Sequence, residues 1–350
     1  MTSSDNSSAP SFYAISSSAR QLFLLLRCIS FAPKAQVQIT KEGIRLSAED
    51  SRVMQGLAFL DKSLFSTYNY IPPRKSSHQA TNDAGDDLES DDDELDLPPF
   101  QISLPALLET LQIFGFSETK DRWSSRDSPY AGGMNGAFPR AGSAAAFDTR
   151  VLGMTGVCRL SYSGIGEPLC IILEESGVTT TCKLVTYSPE APEEIPLRRD
   201  RLAQKIIMRS SWLHDAINEL SSTSPTRLTI TASPTAPYFM LSSSGPLGSA
   251  TVEFSKDPKL LETFQVNRRS VNTYKYSLIR ATTKAMAIAS KVSIRCDEQG
   301  VLSLQFMIEV EGGGVSFVDF RFVPFLPEEA DEEAPDDEGG EESEEYDEDE

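Results

Sequence analysis

Apolar residues along this chain recur with two periods, and the periods follow one another in the same order in its two halves. Phe12 to Ser17 alternates as a strand does, and Ser17 or Ser18 stands where it can cap a helix. From Ala19 to Ser30, Leu22, Leu25, Leu26 and Ile29 fall at i, i+3, i+4 and i+7, one helical face, while Arg20 and Arg27 share another stripe. Alternation returns in Gln36 to Thr40 and Ile44 to Ala48, about a turn at Lys41 to Gly43, and again in Arg52 to Leu60 and Leu64 to Ile71. After a short extended run, Phe100 to Ser103, a second helical pattern covers Leu104 to Phe114. Pro105 sits in its first turn, where a missing N–H is tolerated, and Gly115 ends it. Val157 to Tyr162, Pro168 to Glu174 and Val178 to Val185 close this half as three strands.

Thr186 to Arg201 carries neither period. Pro189, Pro192 and Pro196 fix φ and remove backbone donors, so this stretch reads as a stiff connector. Beyond it the plan repeats, with a strand at Lys205 to Arg209, Ser210 or Ser211 as cap and a helix at Trp212 to Leu220. Strands follow at Arg227 to Ala232, Tyr238 to Ser242, Ala250 to Phe254 and Glu262 to Val266. A fourth helical segment runs from Ser277 to Ser290 with Arg280 and Lys284 on one face. Lys291 to Arg295, Val301 to Glu309 and Val315 to Phe322 then end the chain's periodic part. Ile172 to Thr180 and Ile308 to Ser316 are visibly alike. The pattern predicts an α+β protein of two similar domains, 12–185 and 202–326, joined by the connector 186–201. Residues 1–11, two inserts at 72–99 and 118–154, and the tail 327–350 lack periodicity and are expected to be disordered.

Charge changes this picture once it is divided. The net charge is −20, yet residues 328–350 hold 16 Asp and Glu and residues 76–99 hold 9, with no Lys or Arg in either. The rest has 27 acids against 32 bases, a net of +5, so a basic body carries acidic appendages. An acidic tail is ordinarily a solubilising extension; the sharper expectation is that it competes with nucleic acid for a basic surface. No run of about 18 apolar residues suggests a membrane span, and the N-terminus is polar where a signal peptide would be apolar.

Candidate chemistry is sparse. Cys28, Cys158, Cys170, Cys182 and Cys296 stand singly in apolar segments without metal or redox spacing, and read as reduced thiols. Of the two histidines, His78 lies in an acidic insert and His214 beside Asp215 on a helix, neither in a catalytic motif. Glu174 and Glu175 alternate to opposite faces of a strand and so cannot readily chelate one ion. Gly132, Gly133 and Gly136 lack the strand and the Gly-Lys-Ser of a phosphate loop. The residues point to binding without a cofactor, with basic positions in or beside three helices, Arg20 and Arg27, Arg209, and Arg280 with Lys284. Such positions suit sequence-independent phosphate contacts.

Ser18 to Ser30, Gly43 to Ser51 and Val53 to Phe59 resemble the opening of a sliding-clamp subunit of the proliferating cell nuclear antigen type. Thr283 to Ala285, Val292, Leu302 to Ile308, Gly314 and Phe320 to Pro327 resemble its ending. Leu111 to Gly115, Leu173 to Lys183, Lys205 to Ile207 and Lys291 to Arg295 are closer still to the Rad-one family of subunits from the nine-one-one checkpoint clamp. The resemblance implies a two-domain clamp fold, with antiparallel sheets outside and four helices on the inner face. It implies a nuclear heterotrimer with two homologous subunits, opened by a replication-factor-C-like loader, threaded by double-stranded DNA and serving checkpoint and repair proteins. Arg20, Arg27, Arg280 and Lys284 would face DNA, and Ile195, Leu197, Pro324, Phe325 and Leu326 would dock partner peptides. No catalytic or metal residue is implied. The alternatives are a Mg²⁺-dependent 3′ to 5′ exonuclease and a homotrimeric replication clamp.

Overall fold

The structure is a computed structural model that describes residues 10–72, 97–113, 157–175, 177–189 and 194–326. Phe114, Gly115, His78, Pro192, the tail and nearly all of both inserts lie outside the described residues. In chain order the first half holds β1 (Phe12–Ser16), α1 (Ala19–Arg27), β2 (Lys34–Ile39), β3 (Gly43–Asp50), β4 (Met54–Asp61), β5 (Thr67–Tyr70), β6 (Phe100–Ser103), α2 (Leu104–Leu111), β7 (Val157–Tyr162), β8 (Leu169–Glu175) and β9 (Val178–Leu184). The second half holds β10 (Leu202–Arg209), α3 (Ser210–Leu220), β11 (Arg227–Ala232), β12 (Phe239–Gly245), β13 (Gly248–Phe254), β14 (Leu261–Val266), β15 (Ser270–Lys275), α4 (Tyr276–Ala281), α5 (Thr283–Ile288), β16 (Lys291–Asp297), β17 (Leu302–Glu309) and β18 (Val315–Phe322).

Every strand pairing is antiparallel, and the sheets reveal the repeat. One sheet runs β5-β1-β7-β8-β9, and its counterpart β14-β10-β16-β17-β18 uses the equivalent strands of the second half. Likewise β4-β3-β2-β6 matches β13-β12-β11-β15. Two of these four units are fused, because β18 pairs with β4 to make one nine-stranded sheet across both halves. At this joint Val318, Phe320 and Phe322 face Ala58, Gly56 and Met54, all buried. Phe320 packs between Phe31 and Phe306, with ring centroids 6.3 and 5.8 Å away. A Cβ on Gly56 would lie 2.7 Å from Phe31 and 3.0 Å from Phe320, so only glycine lets the rings lie over the joint.

The helices cover the apolar sheet faces in pairs, α1 with α2 and α3 with α5. Leu22, Leu25, Leu26 and Ile29 are all buried, as the helical spacing predicts, and Ser18 caps α1 by accepting the Gln21 N–H at 3.2 Å. Phe23 and Leu24, off that face, are buried too.

Two expectations are corrected, and one strand is added. Ser210 does not cap α3; it is buried inside the first turn and its hydroxyl donates to the Met286 carbonyl at 2.9 Å, tying α3 to α5. Ser211 likewise lies within the helix, leaving Arg209 at the cap position with no side-chain capping bond. The helical segment at 277–290 is broken at Thr282, whose ψ of −2° tightens the turn and whose buried hydroxyl bonds back to the Ile279 carbonyl at 2.7 Å. β15 was not evident in the sequence, because its inward positions include the polar Asn272 beside Tyr274 and so blur the alternation.

Candidate nucleic-acid interface

The exposed cations of the helices gather at one place, where the end of α1 meets α5. Lys284 of α5 reaches across 254 residues of sequence and donates from Nζ to the Ser30 hydroxyl at 2.7 Å. Arg27 closes α1 with its guanidinium 6.0 Å from the Phe23 ring centroid. Arg27 and Lys284 both act on the Cys28 thiol between them. Burial outweighs their pull and pushes that thiol up to about 12. Arg280 lies one turn before Lys284 and is also exposed. Neither α1 nor α4 and α5 carries an acid, so the seam between the halves is a patch of unopposed positive charge on its own helices. Such a patch can meet phosphates without reading bases.

The other predicted cations sit differently. Arg20 is half-buried; desolvation lowers its pKa, against the opposing pull of Glu311 in the turn between β17 and β18. Arg209 ends β10 and stands over the Trp212 ring at 5.6 Å from its centroid. The α3 helix that follows exposes Ser211, Asp215, Asn218 and Glu219, and α2 exposes Glu109. Neither helix contributes a Lys or Arg. His214 lies 3.7 Å from Asp215 and within 3.3 Å of the Asn218 amide on one exposed face of α3. Glu174 is paired with Arg159 at 3.0 Å. Among the described residues no group of three or more His, Cys, Asp and Glu is placed to hold a metal ion.

The predicted docking residues are brought to one neighbourhood by β4 and β18. The Ile195 N–H donates to Gln55 Oε1 at 3.3 Å and its carbonyl accepts from Arg321 Nη1 at 2.7 Å. Glu194 pairs with both Arg45 and Arg321, and the Arg198 N–H donates to buried Asp297 at 3.1 Å. The connector is thus strapped to the sheet, and Ile195 is only 6% exposed, so its side chain holds the strap while Leu197 is half-exposed. Two residues before Gln55, the Val53 carbonyl accepts the Val323 N–H at 2.9 Å. Pro324 follows, and the Phe325 N–H then bonds to the Thr273 carbonyl at 2.8 Å beneath the Arg227 guanidinium, leaving Leu326 67% exposed.

Sequence reasoning missed two features. On the outer face, Phe59 of β4 lies beside Phe317 of β18, which is 46% exposed, with Val315 at 45%. Also missed were the open edges β9 and β13, each lacking a partner on one side among the described residues. By the internal repeat these are the counterparts of β18 and β4, the two strands that join the halves. Only the repeat itself could have signalled them, since neither edge has a distinctive composition.

The family model for "Repair protein Rad1/Rec1/Rad17" matches residues 11–308. The human "Cell cycle checkpoint protein RAD1" is 34% identical over 319 residues, covering 91% of each chain. The "DNA repair exonuclease REC1" of Mycosarcoma maydis is 23% identical over 396 aligned residues, covering 81% of this chain and 84% of that one. Among solved structures, proliferating cellular nuclear antigen from Entamoeba histolytica superposes with a TM-score of 0.61 at 14% identity, covering 91% of this chain and all of that one. That likeness establishes the fold as the sliding-clamp fold.

Proposed function

We propose that this chain, which belongs to the Rad1/Rec1/Rad17 family of repair proteins, works as one subunit of a ring-shaped DNA clamp in the nuclear DNA-damage checkpoint. The observation that carries this reading is the β18–β4 joint. The chain already contains one sheet-to-sheet junction between similar halves, and it leaves the equivalent strands β9 and β13 open. An open edge strand is a template for pairing with another chain. Repeating the internal register at the outer edges would set Thr180, Cys182 and Leu184 against a neighbour's counterparts of Val252, Ala250 and Gly248. The neighbours are two homologous subunits, and the chain of joints closes into a ring around double-stranded DNA.

Within that ring the seam of Arg27, Arg280 and Lys284 meets the phosphate backbone. Arg20, half-buried and near Glu311, contributes less, and Arg209 stands at the rim of α3. A replication-factor-C-like loader opens the ring, and checkpoint and repair proteins dock near Leu197, Pro324, Phe325 and Leu326, where Ile195 acts through the strap beneath. We read the chain as a scaffold: an exonuclease of the two-metal kind needs converging carboxylates, and Glu174 is committed to Arg159.

The test is the mass by light scattering, alone and mixed with both homologous subunits, together with hydrogen exchange of the mixture. A monomer that becomes a 1:1:1 complex, with new protection in β9 and β13, supports the reading. A trimer formed alone would favour a replication clamp, and a monomer indifferent to both partners would sink the ring.

A further inference from the structure

The last described residues show where the acidic tail departs. Phe325 is held at Thr273 with the Arg227 guanidinium over its ring, and Leu326, the last described residue before 327–350, is exposed. Thr273 lies in β15, which runs directly into α4 and α5, the helices that carry Arg280 and Lys284. Along that path the rise per residue of strand and helix puts Lys284 no more than roughly 25 Å from the departure point. An extended chain covers that distance in about eight residues. Residues 334–350 still lie beyond them, and they hold 11 Asp and Glu with no Lys or Arg. The patch they can reach has three exposed cations and no acid on its own helices.

We infer that the acidic tail docks on the seam of Arg27, Arg280 and Lys284 and competes there with the DNA backbone. The site is the one assigned to phosphates above, so the inference rests on that reading and adds its regulation. The tail's carboxylates stand in for phosphates, and tethering places them at a local concentration of about a millimolar. With a self-affinity of about 0.1 mM, that concentration lowers the apparent affinity for DNA about tenfold. DNA that has been threaded by a loader displaces the tail, whereas loose duplex in solution meets a covered surface.

The experiment uses the full chain with every Glu of residues 328–350 changed to Gln and every Asp to Asn. Binding of a labelled 30-base-pair duplex is followed by fluorescence anisotropy at about 50 and about 200 mM salt. The neutralised tail should bind DNA about tenfold more tightly at the lower salt, with the gain shrinking at the higher. The gain should vanish when Arg27→Ala, Arg280→Ala and Lys284→Ala are added. A labelled peptide of residues 327–350 should bind the tail-neutralised chain and lose that binding in the triple variant, a readout that involves no DNA. A gain that persists in the triple variant would mean general charge repulsion and overturn the inference. So would an equal gain from neutralising the acids of 76–99 with the tail intact, or a peptide that ignores the three substitutions. If the peptide needs the three cations but DNA does not, the tail contact stands and the phosphate role of the seam falls.

Discussion

Gly56→Ala tests whether the two halves are joined by packing as tight as a domain core. The new methyl would lie 2.7 and 3.1 Å from Cε1 and Cζ of Phe31 and 3.0 Å from Cε1 of Phe320. Phe320 is fully buried against Phe306 and cannot retreat, whereas Phe31 is half-exposed and can swing only by giving up its contact with Phe320. Overpacking of this kind costs about 1–3 kcal/mol. The loss of unfolded-chain freedom on replacing glycine returns about 0.4–1 kcal/mol. The net expectation is a destabilisation of about 1–2 kcal/mol, read as a thermal midpoint about 2–4 °C lower for a protein of this size. The same substitution in a Phe31→Leu background should cost clearly less, because the 2.7 and 3.1 Å contacts with the Phe31 ring are gone and only the 3.0 Å contact with Phe320 remains. The two effects are therefore strongly non-additive in a double-mutant cycle. An unchanged or raised midpoint for Gly56→Ala alone, or the same loss in both backgrounds, would refute the packing account of the joint.

Other outcomes follow from the same structure. Arg27→Ala, Arg280→Ala and Lys284→Ala should each flatten the salt dependence of duplex binding by up to about 0.9 in log–log slope, while Arg20→Ala should change it little; equal slopes for Arg20 and Arg27 variants would argue against the seam. Burial pushes the thiols of Cys28, Cys158 and Cys296 up to about 12, so the unfolded chain gives up these protons near pH 9 while the folded one keeps them. Unfolding is then favoured as pH rises, by up to about 1.4 kcal/mol per thiol for each pH unit above 9; chemical denaturation at pH 8 to 10 should show the fall, and Cys28→Ala should make it shallower. Arg321→Met removes the donor to the Ile195 carbonyl and one partner of Glu194. It should speed hydrogen exchange at the connector amides of Ile195 and Arg198 without changing that of β16 and β17.

The repeat was legible because each half buries one face of each element, and burial of one face is what a period of two or 3.6 records. α1 shows this in part: its spacing names Leu22, Leu25, Leu26 and Ile29, all buried, but not Phe23 and Leu24, which are buried as well. The misreadings share a different cause. Ser210 has the chemistry of a cap, but a tertiary acceptor on Met286 claims its hydroxyl. Thr282 interrupts a helix whose apolar spacing runs straight through the break, since the cause is a local hydroxyl bond that periodicity cannot register. Ile195 reads as an accessible residue because it lies in a proline-rich connector, yet two side chains from distant strands pull it against the sheet. At the candidate site, the basic residues were all visible by type. What separates Arg27 from Arg20 is burial, which leaves Arg27 exposed and half-covers Arg20, with Glu311, almost 300 residues away along the chain, acting on Arg20 second. The open edges β9 and β13 were hidden for the simplest reason, that an unpaired N–H looks the same in sequence as a paired one.

The β18–β4 joint also decides where such an assembly can yield. A hinge needs a segment that bends without tearing a sheet, and between these halves the sheet is continuous, with phenylalanines packed tilted and edge-to-face over the crossing. The two halves are mechanically one piece, and load passed between them runs through the main-chain hydrogen bonds of the β18–β4 pair as well as through the connector. At the outer edges the equivalent positions are Thr180, Cys182 and Leu184 on β9 and Val252, Ala250 and Gly248 on β13, without the phenylalanines of the inner joint. In the proposed ring the gate is therefore at a boundary between subunits, and a loader has to pry there, since this molecule will not fold open at its waist.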